Sequence, residues 1–375
     1  MIDLLPVSLY IHYPWCIRKC PYCDFNSYPK NKIVCTDESY LNALIIDFKQ
    51  NINLISNRKF NAVYFGGGTP SLFSPKLMEK LMHEISPYCE ENCEISMEAN
   101  PGTVSLESLK DYRSLGVNRI SLGVQSFDDR ELKLLGRIHD SKAAIEACNN
   151  VIKAGFDNFN IDIMHGLPEQ TTQKALADIK IATSLGCNHL SWYELTLEEN
   201  TYFGSHPPKL PNEDNLADIE EQGFVLLKEL GFNRYEVSGY TKDRRCQNNL
   251  NYWFFYDYFG IGAGAHSKIK IGDKTCRRGN PQDPSSYIEE VKNKKNNFFE
   301  VKKSDLPFEF MLNRLRVFDE TKYDEFENTT RLNFSTVKDK LEKAKDDGLL
   351  QFSDTGYALT DKGRWMLNDI LELFL

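Results

Sequence analysis

Basic charge is in short supply: 45 Lys and Arg against 54 Asp and Glu leave the 375-residue chain at a net −9. A large nucleic-acid footprint normally carries the opposite balance and is not expected. No run approaches the roughly 18 apolar residues of a membrane helix. The opening MIDLLPVSLYIHY has no basic n-region, no continuous apolar segment and no small-residue cleavage site. The expectation is a soluble chain in a reducing cytoplasm, where clustered cysteines point to metal or catalysis rather than to disulfides. The last scarcity is local. Residues 11–28, IHYPWCIRKCPYCDFNSY, hold Cys16, Cys20 and Cys23, and the next cysteine, Cys35, lies well beyond them. A structural zinc site takes four ligands, usually as two separated pairs, and no second pair follows. A catalytic zinc on three thiolates is the bland alternative, at an unusual spacing. Iron–sulfur clusters are also held by thiolates, and three cysteines on a cubane of four irons leave one iron open to a small molecule.

What is present is a repeating beat. Hydrophobic residues make up 41% of the chain, enough for a substantial core, and the length suits two or three domains or one large barrel with an appendage. The apolar runs VSLYIHY (7–13), NAVYFGGG (61–68), CEISMEAN (93–100), NRISLGVQ (118–125), NFNIDIMHG (158–166) and HLSWYELT (189–196) alternate with stretches of helical period. Several of those stretches end in glycine, as helices with a left-handed cap do. Strand–helix alternation predicts a parallel sheet. Six units, with a further helix at 214–231, suit an incomplete (β/α)6 barrel better than a closed eight-fold one. An open doubly wound sheet is the alternative. Each run stays apolar until its C-terminal end, where a polar group or glycine cluster stands: Gly66–Thr69, Glu98 with Asn100, Gln125 with Ser126, Asp162 with His165, and Glu194 with Thr196. In (β/α) barrels the active site is built at that edge.

The Cys16-x3-Cys20-x2-Cys23 spacing after a first strand resembles the signature of radical S-adenosylmethionine (SAM) enzymes, and YFGGGTP (64–70) after the second strand strengthens the likeness. The resemblance implies a 4Fe–4S cluster whose open iron is chelated by the amino and carboxylate groups of SAM. It also implies one-electron cleavage of the sulfonium to methionine and a 5′-deoxyadenosyl radical, with Tyr22 near the adenine. Glycines at 66–68 would let backbone approach the SAM amino group with no Cβ in the way. SLYIHYPWC, GGGTPS, EANPGT, GVNRISLGVQSF, NIDIMHGLPEQT and LNYWFFYDYFGIGAGAH together resemble the oxygen-independent coproporphyrinogen III oxidase family, over residues 7 to 270. Carried over by motif, Tyr10, Gly67, Gly68, Thr69, Glu98, Gln125, Arg137 and Asp162 fall on SAM-contacting positions, and Thr196 and His266 extend the set. GIGAGAH (260–266) does not meet the dinucleotide pattern G-x-G-x-x-G. It reads as close backbone approach near the cofactor, with His266 facing the site.

Within that family, true oxidases usually carry another cysteine two residues past the third, and a longer N-terminal extension. Here Phe25 takes the cysteine's place and Cys16 is reached almost at once. Both features resemble the sister branch, the HemW type, which implies heme as ligand, a heme-acceptor protein, and an electron donor such as a flavodoxin or ferredoxin. Coproporphyrinogen dehydrogenation is then not expected. That branch usually carries HNxxYW, its histidine facing heme. This chain reads CQNNLNYW, so Asn248 takes the histidine position, followed by Asn249, Tyr252 and Trp253. Asparagine is not among the usual axial ligands of heme iron, which makes Cys246, Tyr252 and His266 the candidate substitutes. A buried aromatic corner closing the barrel mouth is the structural alternative.

The tail, with FEFMLNRLRVF, NFSTVKDKLEKAKDDGLLQ and YALTDKGRWMLNDILELFL, looks like a small α+β winged-helix domain. From 301 on it carries 12 basic and 15 acidic side chains, so a lid or a protein-docking surface is favoured over DNA binding. The expected organisation is a partial barrel over 1–240, a barrel-closing segment over 241–303 and the winged-helix-like domain over 304–375.

Overall fold

The first strand, β1 (Val7–Tyr13), is buried on both faces except at Tyr10, as a continuous apolar run inside a parallel sheet must be. The computed structural model describes residues 5–32, 35–294 and 297–375; residues 1–4 of the opening stretch lie outside it. Five further strands follow in parallel register, each beside the last: β2 (Phe60–Gly67), β3 (Cys89–Ala99), β4 (Arg119–Gln125), β5 (Phe159–His165) and β6 (His189–Glu194). All six predicted runs are strands of this one sheet.

The intervening helices are α1 (Asp37–Asn51), α2 (Pro75–Ile85), α3 (Leu106–Ser114), α4 (Ser141–Lys153), α5 (Thr172–Ser184) and α6 (Glu213–Glu229). Each starts at a side-chain cap, supplied in turn by Thr36, Ser74, Ser105, Asp140, Thr171 and Asn212. The last four are followed by Gly116, Gly155, Gly186 and Gly231 at positive φ. Caps at both ends explain why the beat was readable.

Beyond residue 240 the chain returns to the sheet. On one edge β7 (Gly239–Thr241) runs antiparallel to β6. After helix α7 (Gln247–Trp253), strand β8 (Asp257–Ile261) lies parallel to β1 on its free side. The hairpin β9 (His266–Ile271) and β10 (Lys274–Gly279) extends the sheet to twelve strands with the short edge pieces. The segment after 240 thus supplies a seventh parallel strand. A buried cluster docks it on α1: Arg278 meets Asp47 at 2.8 Å, and Tyr287 donates to the same carboxylate at 2.9 Å.

The tail has its own core around Phe310, Phe326, Val337, Leu341 and Tyr357. Helices Leu306–Arg314, Tyr323–Thr330 and Ser335–Asp346 precede the hairpin Leu350–Phe352 and Gly356–Leu359, and Thr321–Lys322 completes a three-stranded sheet. This is the expected winged-helix arrangement. Among the described residues no helix is long and apolar enough to cross a membrane.

Candidate functional site

The C-terminal ends of β2 to β6 and the loop after β1 surround one cavity of about 420 Å³, within the range of pockets for a small organic ligand. Gly68, Thr69, Glu98, Gln125, Asp162 and Thr196 all line it. The five strand-end coincidences therefore belong to one site. Their companions Gly66, Gly67, Ser126 and His165 do not: the two glycines stand behind the lining, Ser126 turns away to bond Glu131, and His165 packs its ring 4.2 Å from Trp192.

Cys16, Cys20, Cys23 and Tyr22 line the same cavity from the loop after β1. No disulfide forms among the described residues. Burial pushes the Cys16 thiol up to about 11 and raises Cys23 as well. No three His, Cys, Asp or Glu side chains among the described residues are grouped to hold a single ion. In a cubane each thiolate takes a different iron, and a spread set of three suits that better than one zinc.

The glycine loop is locked to the cysteine loop. Gly68 N–H donates to the Tyr13 carbonyl and Thr69 N–H to the Trp15 carbonyl, both at 2.8 Å. A Cβ on Gly68 would stand 2.6 Å from the Trp15 carbonyl oxygen. Gly68→Ala is therefore expected to cost about 1–3 kcal/mol by overpacking, read as a lowered Tm, and to cut cluster incorporation. A wild-type Tm would show that the two loops are not in this contact.

Glu98 accepts from Tyr64 O–H at 2.9 Å and from Gly67 N–H at 3.1 Å. Burial nevertheless raises its carboxyl to about 7. Gly67 and Tyr10 stand behind the lining rather than in it; Tyr10 stacks on Tyr64 and meets His12 Nδ1 at 3.0 Å. Gln125 is one of few non-glycine residues at positive φ, at 76°, beside a register shift in β4. Such a bulge re-aims a side chain, and its Oε1 accepts from Tyr193 at 2.9 Å.

Arg137 reaches across from the segment after β4. Its Nη2 donates to the Gly123 carbonyl at 2.5 Å, and Nη1 lies 3.3 Å from Tyr22 Oη and 3.5 Å from Cys20 Sγ. Its Nε–H is buried with no partner. An unpaired buried donor beside the cysteine loop fits an anionic group arriving with a ligand.

Asp162 is held by a network that sequence reasoning missed. It accepts from Ser121 Oγ at 3.1 Å and from Asn160 Nδ2 at 2.7 Å. The Asn160 carbonyl faces His189 Nδ1 at 2.7 Å, and His189 Nε2 meets Tyr235 Oη at 2.9 Å. The Cys246 amide reaches Tyr235 Oη at 3.3 Å. Burial raises the Asp162 carboxyl and holds His189 well below its ordinary value.

The Radical SAM superfamily profile matches residues 10–180 and the HemN C-terminal domain profile residues 301–366. Over its whole length the chain is 44% identical to the heme chaperone HemW of Haemophilus influenzae, covering 99% of that protein. It is 42% identical to the heme chaperone HemW of Escherichia coli, over 100% of both chains. The chain belongs to the HemW family. In fold it is similar to the coproporphyrinogen III oxidase HemN of Escherichia coli, a radical SAM enzyme, with a TM-score of 0.83 at 24% identity over 99% of this chain and 90% of that one. Membership of the radical SAM superfamily implies a 4Fe–4S cluster and SAM, and the thiols, the glycine loop and the unpaired Arg137 Nε–H fit that pair.

In this HemW-family chain the NNLNYW segment is helix α7, and it lies at the opposite end of the barrel from the cysteines. Gln247 N–H is capped by Glu94 at 2.9 Å, and Asn251 exchanges hydrogen bonds with Asn61 near the start of β2. It therefore closes the barrel from below, not at the mouth. Cys246 and Asn249 reach the cavity floor. Asn248 is buried with Oδ1 unpartnered, Tyr252 packs 4.5 Å from Tyr258, and Trp253 lies under Arg316 at 4.6 Å. These five do not share one face, because a helix of 3.6 residues per turn separates them. His266 is exposed at the start of β9 and does not line the cavity. The glycines before it do approach closely, but β1 and the cysteine loop rather than the cavity: a Cβ on Gly262 would stand 2.5 Å from the His12 carbonyl oxygen, and one on Gly264 2.5 Å from Asn26 Nδ2.

Proposed function

We propose that this chain is a heme chaperone that carries a 4Fe–4S cluster on Cys16, Cys20 and Cys23, binds SAM in the cavity, and hands heme to an acceptor protein in the cytoplasm. The observation that carries the cofactor reading is the meeting of three unpaired thiols and the polar ends of five strands in one cavity. The chemistry such a pair supplies is one-electron reductive cleavage of a sulfonium. Arg137 offers its unpaired Nε–H to the carboxylate of SAM. The amides of Gly67, Gly68 and Thr69 are spent on internal acceptors, so the loop offers an ammonium its carbonyls, beside Glu98. Asp162 is placed for ribose hydroxyls, Tyr22 for the adenine, and Gln125 and Thr196 for the remaining polar edge. Tyr10 and Gly67 act from behind, by holding Tyr64 and Glu98.

Heme is assigned to the segment around Cys246, Asn248, Asn249, Tyr252 and Trp253. With asparagine in the histidine position, heme binds more weakly or with a different ligand than in relatives carrying HNxxYW. An exposed pair, Arg18 and Lys19, lies within the cysteine loop between Cys16 and Cys20 and suits an acidic electron donor such as a flavodoxin or ferredoxin. The test is one preparation, reconstituted anaerobically and assayed for heme binding and for coproporphyrinogen III conversion. Heme should bind and no decarboxylation should follow. Asn248→His should tighten heme with a shifted Soret band, since it restores an imidazole that iron can use. Formation of protoporphyrinogen by the unmodified protein would overturn the reading in favour of an oxidase.

A further inference from the structure

Three arginines are almost completely buried: Arg119 at 3% exposure, Arg278 at 4% and Arg314 at 0%. Two have carboxylate partners, Arg278 with Asp47 at 2.8 Å and Arg314 with Glu325 at 2.6 Å. Arg119, which opens β4, has no carboxylate within the 4.0 Å of an ion pair and no side-chain hydrogen bond among the described residues. A guanidinium left dry and unpaired costs several kcal/mol. Arg119 is not dry, however: it lines the cavity, and its nitrogens are not among the buried atoms without partners.

The carboxylates in its surroundings stand beyond ion-pair distance and take other donors, Glu94 on its Oε1 alone. Glu94 caps the start of α7 through the amides of Gln247 and Asn248, and Asp162 is bonded by Ser121 and Asn160. Arg119 stands at the opposite end of β4 from Gln125, six residues or about 20 Å along a strand. It therefore serves the inner part of the cavity, where Cys246, Asn249 and Ser238 complete the lining. A planar fork of N–H donors matches a carboxylate in two-point contact. A singly charged anion is favoured over phosphate, because Glu98 and Asp162 line the same space and oppose further negative charge.

We propose that Arg119 is a carboxylate-binding site at the inner end of the cavity, filled by a propionate arm of the tetrapyrrole or by a small free carboxylate. The first source rests on the heme reading above; the second does not. With SAM at the cysteine end, a cavity of about 420 Å³ admits an arm of a macrocycle to Arg119 and not the ring itself.

The test uses the reconstituted full chain, with Arg119→Gln and Arg119→Lys as variants. Sodium propionate, compared with sodium chloride at equal ionic strength, should raise the Tm of the wild type, raise that of Arg119→Lys less, and leave Arg119→Gln unmoved. Heme should bind the wild type at least tenfold tighter than heme dimethyl ester, and Arg119→Gln should lose that preference. If propionate protects but ester discrimination is unchanged by the substitution, the site stands for a free carboxylate and the tetrapyrrole source falls. Protection by propionate with no heme binding in any variant keeps the site and removes the heme reading. If propionate protects neither protein and the ester preference survives Arg119→Gln, the proposal is overturned. Should Arg119→Gln fail to fold, Arg119→Lys takes its place. Weaker propionate protection than in the wild type then supports the site, and equal protection or none in both proteins overturns it.

Discussion

Replacing any one of Cys16, Cys20 or Cys23 by alanine is expected to abolish the cubane absorbance and the EPR signal of the reduced protein after anaerobic reconstitution. In the proposed site each thiolate would carry one corner of the cluster, so a single loss would leave two attachments. Loss of an outer partner that merely orients a metal ligand costs roughly 10–100-fold in affinity, and loss of the ligand itself should exceed that. The fold should survive, because the loop's frame comes from backbone and from other side chains: Tyr28 N–H to the Pro14 carbonyl at 2.7 Å, and Asn26 Nδ2 to the Ala263 carbonyl at 3.0 Å. Cys35→Ala is the control, since Cys35 does not line the cavity. A full cluster in the triple variant, or stoichiometric zinc in protein purified without oxygen, would sink the assignment.

The second large effect concerns SAM. Adding SAM to the reduced cluster should change its EPR spectrum, and Glu98→Ala or Asp162→Ala should remove that change while the cluster remains. Hydrogen bonds to charged groups contribute about 1.5–3 kcal/mol, roughly 10- to 150-fold in affinity. Glu98 adds a pH signature. Burial raises it from 4.5 to about 7 in the folded chain, so the folded state holds a proton that the unfolded state has released. Its contribution to the stability of the SAM-free protein is present below pH 4.5 and is lost as pH rises through 7. SAM binding runs the other way, because an ammonium needs the carboxylate, and should tighten as pH rises through the same range. Glu98→Gln should flatten both trends. Unchanged SAM binding in both alanine variants would show the strand-end assignment to be wrong.

The barrel and its working edge were legible because each signal is local. An apolar run with a capping residue after it states a strand and the start of a helix, and its last residue falls at the sheet's edge. The interior of the barrel was harder. Arg119, Ser121, Asn160, Ser191 and Tyr193 lie within the runs, where an apolar reading passes over them. Their spacing of two was nevertheless a signal, since alternate residues of a strand face the same side. It groups 119, 121, 123 and 125, then 160 with 162, then 189, 191 and 193. The segment after 240 was only partly legible, for a different reason. Its strand pairs with β1, some 250 residues away in sequence, and nothing local states which end of the barrel α7 will cover. His266 followed a glycine-rich turn whose close approach was real but faced another partner.

The hydrogen bonds behind Asp162 leave no freedom in where their protons sit. The carboxylate takes the Asn160 amide, which turns that side chain's carbonyl to His189. Nδ1 must then be the protonated nitrogen, and Nε2 must receive the hydroxyl of Tyr235. That oxygen in turn accepts the amide of Cys246. Ordinary ice keeps disorder at absolute zero because its protons can be arranged in many equivalent ways; this column has one arrangement, and so none of that residual entropy. A molecule that docks on Asp162 therefore meets a fixed pattern and spends nothing on reordering it.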